Sequence, residues 1–227
     1  MRPFNTSTVT ARPTYQSEIA RHTVLRNTYF LLSLTLLFSA AMAVLSMKAG
    51  APPLNWLVQI VGMFGLLFLT MWLRNSVWGL LSIFAFTGFC GYTLGPIMNM
   101  YLTEFTNGSQ LIFTALGATG VIFVGLSGYV LTTKKDFSYM GGFLTIALLA
   151  AILMSLAGAI FHLPMMQIVM SGAFVVIFSG YILYNTSQIL NNGETNYIMA
   201  TISLYLDILN LFLALLRILS YFSGNRR

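Results

Sequence analysis

Seven apolar blocks, each about the length of a membrane crossing, follow one another along this chain with only short polar separators between them. They cover residues 27–47, 54–73, 77–101, 110–131, 139–161, 165–190 and 197–222. A helix needs roughly 20 apolar residues to span the hydrocarbon of a bilayer. The separators carry turn or charge signals, such as Pro52-Pro53, Arg74-Asn75-Ser76, Lys134-Lys135-Asp136 and His162-Leu163-Pro164, and none is long enough for a soluble domain. Alternation of polar and apolar residues over ten-residue segments is absent, which argues against an outer-membrane barrel. The spacing therefore predicts an all-α polytopic membrane protein with seven transmembrane helices.

Composition supports this reading. Charged residues make up 7% of the 227, against about 25% in an ordinary soluble domain. So few charges cannot clothe a water-soluble globule of this size, and a soluble enzyme, a nucleic-acid binder and a disordered chain are excluded. The net charge of +6 is spread over tails and separators. That is how a membrane protein sets its orientation. Arg2, Arg12, Arg21, Arg26, Arg74, Lys134 and Lys135 fall on one side, with Lys48, Arg226 and Arg227 on the other. The expectation is a cytosolic tail over residues 1–23, a seven-helix domain over 24–222 and a short tail over 223–227. The N-terminus is then inside and the C-terminus periplasmic, although Arg226 and Arg227 oppose that placement. Cys90 is the only cysteine, so no intramolecular disulfide and no CxxC metal site can form.

The last block holds the least expected residues. Asp207 lies near its middle and Arg217 further along, among leucines and isoleucines. A charge at such depth costs roughly 2.5–3.5 kcal/mol on insertion scales. At 100° per residue, Ser203, Asp207, Asn210, Arg217 and Tyr221 share one arc of the helix. Such a stripe should avoid lipid, which predicts a seventh helix enclosed by the others. Asp207 and Arg217 are ten residues apart, about 15 Å along the axis, so they cannot pair. On the sixth block Tyr181, Asn185, Gln188 and Asn192 share a face, and a short loop makes the two helices antiparallel neighbours. Asn185 is thus the expected partner of Asp207. Asp207 reads either as a structural hydrogen-bond anchor or as a titrating, cation-binding group. As a metal ligand it could serve only calcium, and weakly, because that ion prefers several charged oxygens.

Gly88, Gly91 and Gly95 place small residues along the third block for close helix packing, and Pro96 should kink or interrupt that helix. Gly117, Gly120, Gly125 and Gly128 suggest an equally compact fourth helix. No GxSxG, HExxH, phosphate-loop or dinucleotide fingerprint is present, and no cofactor motif appears. All three lysines lie at separators, so none can hold retinal within the last helix.

Five stretches carry a family resemblance. They are Gly91-Tyr92-Thr93-Leu94-Gly95-Pro96-Ile97, Ala115-Leu116-Gly117-Ala118-Thr119-Gly120, Thr133-Lys134-Lys135-Asp136-Phe137-Ser138, Tyr181-Ile182-Leu183-Tyr184-Asn185-Thr186 and Ser203-Leu204-Tyr205-Leu206-Asp207-Ile208-Leu209-Asn210. Together they resemble the Bax inhibitor-1 family over residues 24–222. Val24-Leu25-Arg26-Asn27 and Gly193-Glu194-Thr195-Asn196-Tyr197 point to its YccA-like bacterial branch. The resemblance implies a central seventh helix between two three-helix groups, a bacterial inner-membrane location, and a role as substrate and modulator of the membrane-bound AAA protease FtsH. It also implies an alternative, because other bacterial members are pH-sensitive calcium leaks gated by an aspartate pair on helices six and seven. Here the helix-seven acid is Asp207, but Asn185 stands at the helix-six position. Arg74 is the candidate match for the helix-two arginine that locks the pair. The acid expected about three turns before it is replaced by Met63. The candidate ion path is therefore Asp207, Asn185, Asn210, Arg217 and Arg74, with protons or calcium as its cargo. A membrane scaffold with neither activity is the remaining reading.

Overall fold

The structure, a computed structural model, describes residues 15–191 and 194–224. Every expected block becomes one helix: α1 (Tyr15–Lys48), α2 (Trp56–Leu73), α3 (Trp78–Glu104), α4 (Gly108–Thr133), α5 (Met140–Ile160), α6 (Pro164–Leu190) and α7 (Tyr197–Ser223). All seven are long and apolar enough to cross a membrane. Of the expected tail, residues 1–14 lie outside the described residues. Tyr15–Thr23 belongs to α1, and the candidate span within that helix opens at His22. After Pro13 no proline or glycine intervenes before Lys48, so nothing stops the helix from starting early.

Local chemistry sets the helix ends. Asn55 Oδ1 accepts from Leu57 N at 3.0 Å and opens α2. Asn196 Oδ1 accepts from the backbone of Ile198 and Met199 and opens α7, satisfying donors that the helix itself cannot pair. Pro164 occupies the first turn of α6, where its missing N–H is harmless. Gly224 closes α7 in the left-handed conformation, with φ 61°.

The helices form two groups, α1–α3 and α4–α6, with α7 between them. α7 packs on α1, α3, α4 and α6, while α2 leans on α3 and α5 on α6. The seventh helix is central, as expected, but its direct neighbours are four helices and not six. Ile198, Ile202, Leu204, Tyr205, Leu211 and Leu216 of α7 are all but fully buried. α2, by contrast, turns Trp56, Val61, Phe68 and Trp72 outward, as a lipid-facing helix should.

α1 and α3 meet through small residues. Thr28, Leu31, Leu32, Thr35, Ser39, Ala43 and Ser46 are buried on α1, recurring every one to four residues along one stripe. Opposite them, a Cβ on Gly91 would collide with the backbone of Ser39, and one on Gly95 with the side chain of Ser46. A Cβ on Gly88 would lie 2.6 Å from Phe38 Cε1. Without a hydrophobic drive between helices in lipid, this close approach supplies the van der Waals contact that holds them.

Two expectations need correction. The fourth helix is not compact at its glycines: Gly117, Gly120, Gly125 and Gly128 all face open space. The reason is geometric, since α4 buries Leu111, Ala115, Thr119 and Ser127 instead, a different face of the helix. Of the kink or interruption expected at Pro96, the interruption is absent: α3 runs helically through it to Glu104.

Candidate functional site

Asp207 sits ten residues into α7, about 15 Å along the axis from its first residue, and is 4% exposed. Asn185 of α6 donates from Nδ2 to Asp207 Oδ2 at 2.7 Å. The antiparallel packing of α6 and α7 brings the pair together, with Asn185 five residues before the end of α6 and Asp207 ten residues into α7. A buried acid side chain with no partner would be strongly unfavourable, and the amide supplies one hydrogen bond.

The pair borders a cavity of about 540 Å³ among α5, α6 and α7. Its polar rim is Asn185, Ser203, Asp207, Asn210 and Arg217, and Leu148, Phe174, Phe178 and Leu213 contribute to its apolar wall. Most of the predicted stripe on α7 is therefore gathered around one space. Asn210 spends its amide on its own helix, donating to the Leu206 carbonyl at 2.8 Å. Arg217 lines the cavity yet is exposed, and Tyr221 beyond it is 48% exposed. Enclosure thus covers the Asp207 end of the stripe only. Arg217 is six residues from the end of α7, about 9 Å, so its long side chain can reach the membrane boundary.

Arg74 does not join this constellation. It is the C-cap of α2, is exposed, and its carbonyl accepts from Asn196 Nδ2 at 3.1 Å. α2 is the shortest helix, at 18 residues, and ends level with the start of α7, leaving Arg74 about 15 Å or more short of Asp207 along α7. As a calcium site Asp207 has one carboxylate and one amide. Among the described residues no three acids, histidines or cysteines gather where a metal could be held.

Several features were not singled out in the sequence. A second, smaller polar cavity of about 130 Å³ is lined by Tyr184, Asn185, Gln188, Glu194 and Ser203. Asn185 and Ser203 border both cavities. Glu194 also accepts from Asn196 N at 2.8 Å, fixing the approach to α7. On another face of α7, the buried Tyr205 hydroxyl bonds Ser39 Oγ of α1 at 2.7 Å and donates to the Thr87 carbonyl of α3 at 3.3 Å. α7 is therefore anchored through Asp207 to α6 and through Tyr205 to α1 and α3. Nothing in a one-dimensional pattern marks Tyr205, because an aromatic on a buried helix face is ordinary.

The α4–α5 loop is tied to the end of α6. Ser187 Oγ accepts from Phe137 N at 2.9 Å and donates to Asp136 Oδ1 at 3.3 Å. The Ser138 hydroxyl and backbone N–H both bond Asp136. These donors, Ser138 first, hold the Asp136 carboxyl below the usual carboxylate range.

The chain's similarity to known proteins agrees with this arrangement. The family described as "Inhibitor of apoptosis-promoting Bax1" matches residues 21–224. A protein of Escherichia coli strain K12 named "Modulator of FtsH protease YccA" is 46% identical over 207 residues, which covers 91% of this chain and 94% of that one. An uncharacterized protein of Pseudomonas aeruginosa is 52% identical over 205 residues, 89% of this chain and 90% of its own. An uncharacterized membrane protein of Vibrio cholerae is 43% identical over 223 residues, 98% of this chain and 100% of its own. With seven spanning helices and a family match along nearly its whole length, the chain belongs to the Bax inhibitor-1 family, on its YccA-like bacterial branch.

Proposed function

We propose that this protein is a regulatory membrane protein, a substrate and modulator of the membrane-bound AAA protease FtsH. The observation that carries the reading is the 46% identity, over nearly the full length of both chains, to the protein named as a modulator of that protease. The chemistry of the interior agrees with action by binding, not by catalysis. Asp207, the one carboxylate deep in the spans, is engaged by an amide, and paired carboxylates for acid–base work are missing from the chain's five acids. On this reading the protein resides in the bacterial inner membrane with its N-terminus in the cytosol. The segment before the first span is the handle that the cytosolic AAA ring engages.

Turnover in cells with and without the protease tests both halves. Deleting residues 2–20 should slow degradation of the protein, and overexpressing the full chain should slow degradation of other FtsH substrates. Unchanged turnover of the truncated protein sinks the handle. Unaffected turnover of the other substrates sinks the modulator role.

A second reading, a proton-sensitive cation leak centred on Asp207, draws on one observation: the polar rim of the larger cavity shares Asn185 and Ser203 with the smaller polar one. Calcium-dye flux in proteoliposomes separates the two. A flux abolished in Asp207→Asn would support the leak, and no flux from the unaltered protein would leave the modulator reading alone.

A further inference from the structure

A cavity of about 520 Å³ lies across α7 from the Asp207 cavity. Tyr205, Ile208, Leu209 and Phe212 of α7 form its floor, and its walls come from α1, α3 and α4. α1 and α4 form no extensive interface with one another, so the cleft opens between them. Its rim residues Val44, Phe113 and Leu116 are 49%, 73% and 49% exposed.

The polar atoms of the lining are almost all spent. Ser39 and Tyr205 bond each other at 2.7 Å, Tyr205 also donates to the Thr87 carbonyl, and Thr119 donates to the Ala115 carbonyl at 2.7 Å. Only Ser109, at one end, is not drawn into such a bond here. A polar ligand would strand its own groups in this space. A hydrocarbon chain would not.

Depth and charge narrow the occupant further. Along α1 the cleft runs from Met47 back to Leu36, eleven residues or about 16 Å, close to half of a hydrocarbon core of ~30 Å. It thus begins at one membrane surface and ends near the midplane, the reach of an acyl chain in one leaflet. At its surface end stands the exposed Lys48, one helical turn beyond the rim residue Val44 and on the same face of α1. Glu104 is the acid at the same boundary. It lies well round α3 from the face that Leu94, Met98 and Leu102 turn to the cleft.

We propose that this cleft is a phospholipid site, holding one acyl chain of the leaflet at whose surface α1 ends, with the headgroup phosphate paired to Lys48. The inference is independent of the modulator reading and of the polar cavity.

The test uses the full chain in proteoliposomes containing phosphatidylglycerol with a photoactivatable group near the end of one acyl chain. Crosslinked peptides are read by mass spectrometry. Label on residues 205–212 of α7 is diagnostic, because Tyr205 and Phe212 are buried and lie on the floor of the cleft. Label on the outward-facing α2 reports ordinary contact with lipid. Gly120→Phe fills the cleft from a position whose Cβ direction is empty. It should abolish α7 labelling and spare α2, and Leu116→Trp serves as a second filler should the first fail to insert. Lys48→Gln should lower α7 labelling about fivefold. The proposal is overturned by absent α7 labelling in the unaltered protein, by α7 labelling that survives both fillers, or by labelling indifferent to Lys48→Gln.

Discussion

Replacing Gly91 by alanine should force α1 and α3 apart. The added Cβ would lie 2.8 Å from both the Cα and the carbonyl carbon of Ser39, and closer still to its carbonyl oxygen. These are backbone atoms of a helix and cannot swing aside. Overpacking of this kind costs about 1–3 kcal/mol, and three simultaneous backbone collisions place Gly91 at the upper end. Alanine returns about 1 kcal/mol of helix propensity, which leaves a net loss of about 2 kcal/mol. For a chain of this length that is a fall in melting temperature of roughly 5 °C. Gly88→Ala meets only the edge of the Phe38 ring, which can rotate, and should lose less. Gly120→Ala meets nothing and should hold or gain. The buried Cys90, the chain's single thiol, makes the assay direct: a thiol-reactive fluorophore reports its exposure on heating in detergent. If Gly91→Ala melts together with Gly120→Ala, the account of the α1–α3 interface is wrong.

Asp207→Leu strands the Asn185 amide and should cost about 1–3 kcal/mol, while Asp207→Asn, which can still bond it, should cost less; the same melting assay ranks them. Asn196→Ala removes the α7 cap and the ties to Arg74 and Asn75, for a loss of about 1 kcal/mol and faster hydrogen exchange at Ile198 and Met199. Asp136 has a depressed native pKa, so its stabilisation is complete above the ordinary aspartate range and is lost as pH falls through the native value. Protection factors at Phe137 and Ser138 should drop on acidification in the unaltered protein but stay flat in Asp136→Asn, and a matching drop in the variant would refute the assignment.

The helices were legible in the sequence because membrane crossing imposes a length and an apolar content that survive without context. The Asn185–Asp207 contact was legible too, since a short loop makes α6 and α7 antiparallel neighbours and each carries a polar face for the other to meet. Tyr205 was not, because the bond that matters is made to Ser39, 166 residues away. Gly120 misled for a related reason. A glycine spacing gives the capacity for close packing but does not name the partner, and α4 turns Ala115 and Thr119 inward instead. Arg74 entered the candidate path through the family resemblance, although its place in a separator already put it at a helix end. With α2 ending level with the start of α7, the separation along the helix axis keeps Arg74 out of contact with Asp207. The α4–α5 loop was marked as a motif, but its tie to α6 was not legible, because the lock uses one serine on a distant helix, which no local pattern reveals.

The central claim is that the protein restrains a membrane-bound AAA protease by occupying it. The most direct measurement is the degradation rate of a second membrane substrate by purified FtsH in proteoliposomes, with this protein titrated in. The account predicts a rate that falls as the protein is added and recovers when residues 2–20 are removed from it. A rate unchanged at every ratio of protein to protease would contradict it.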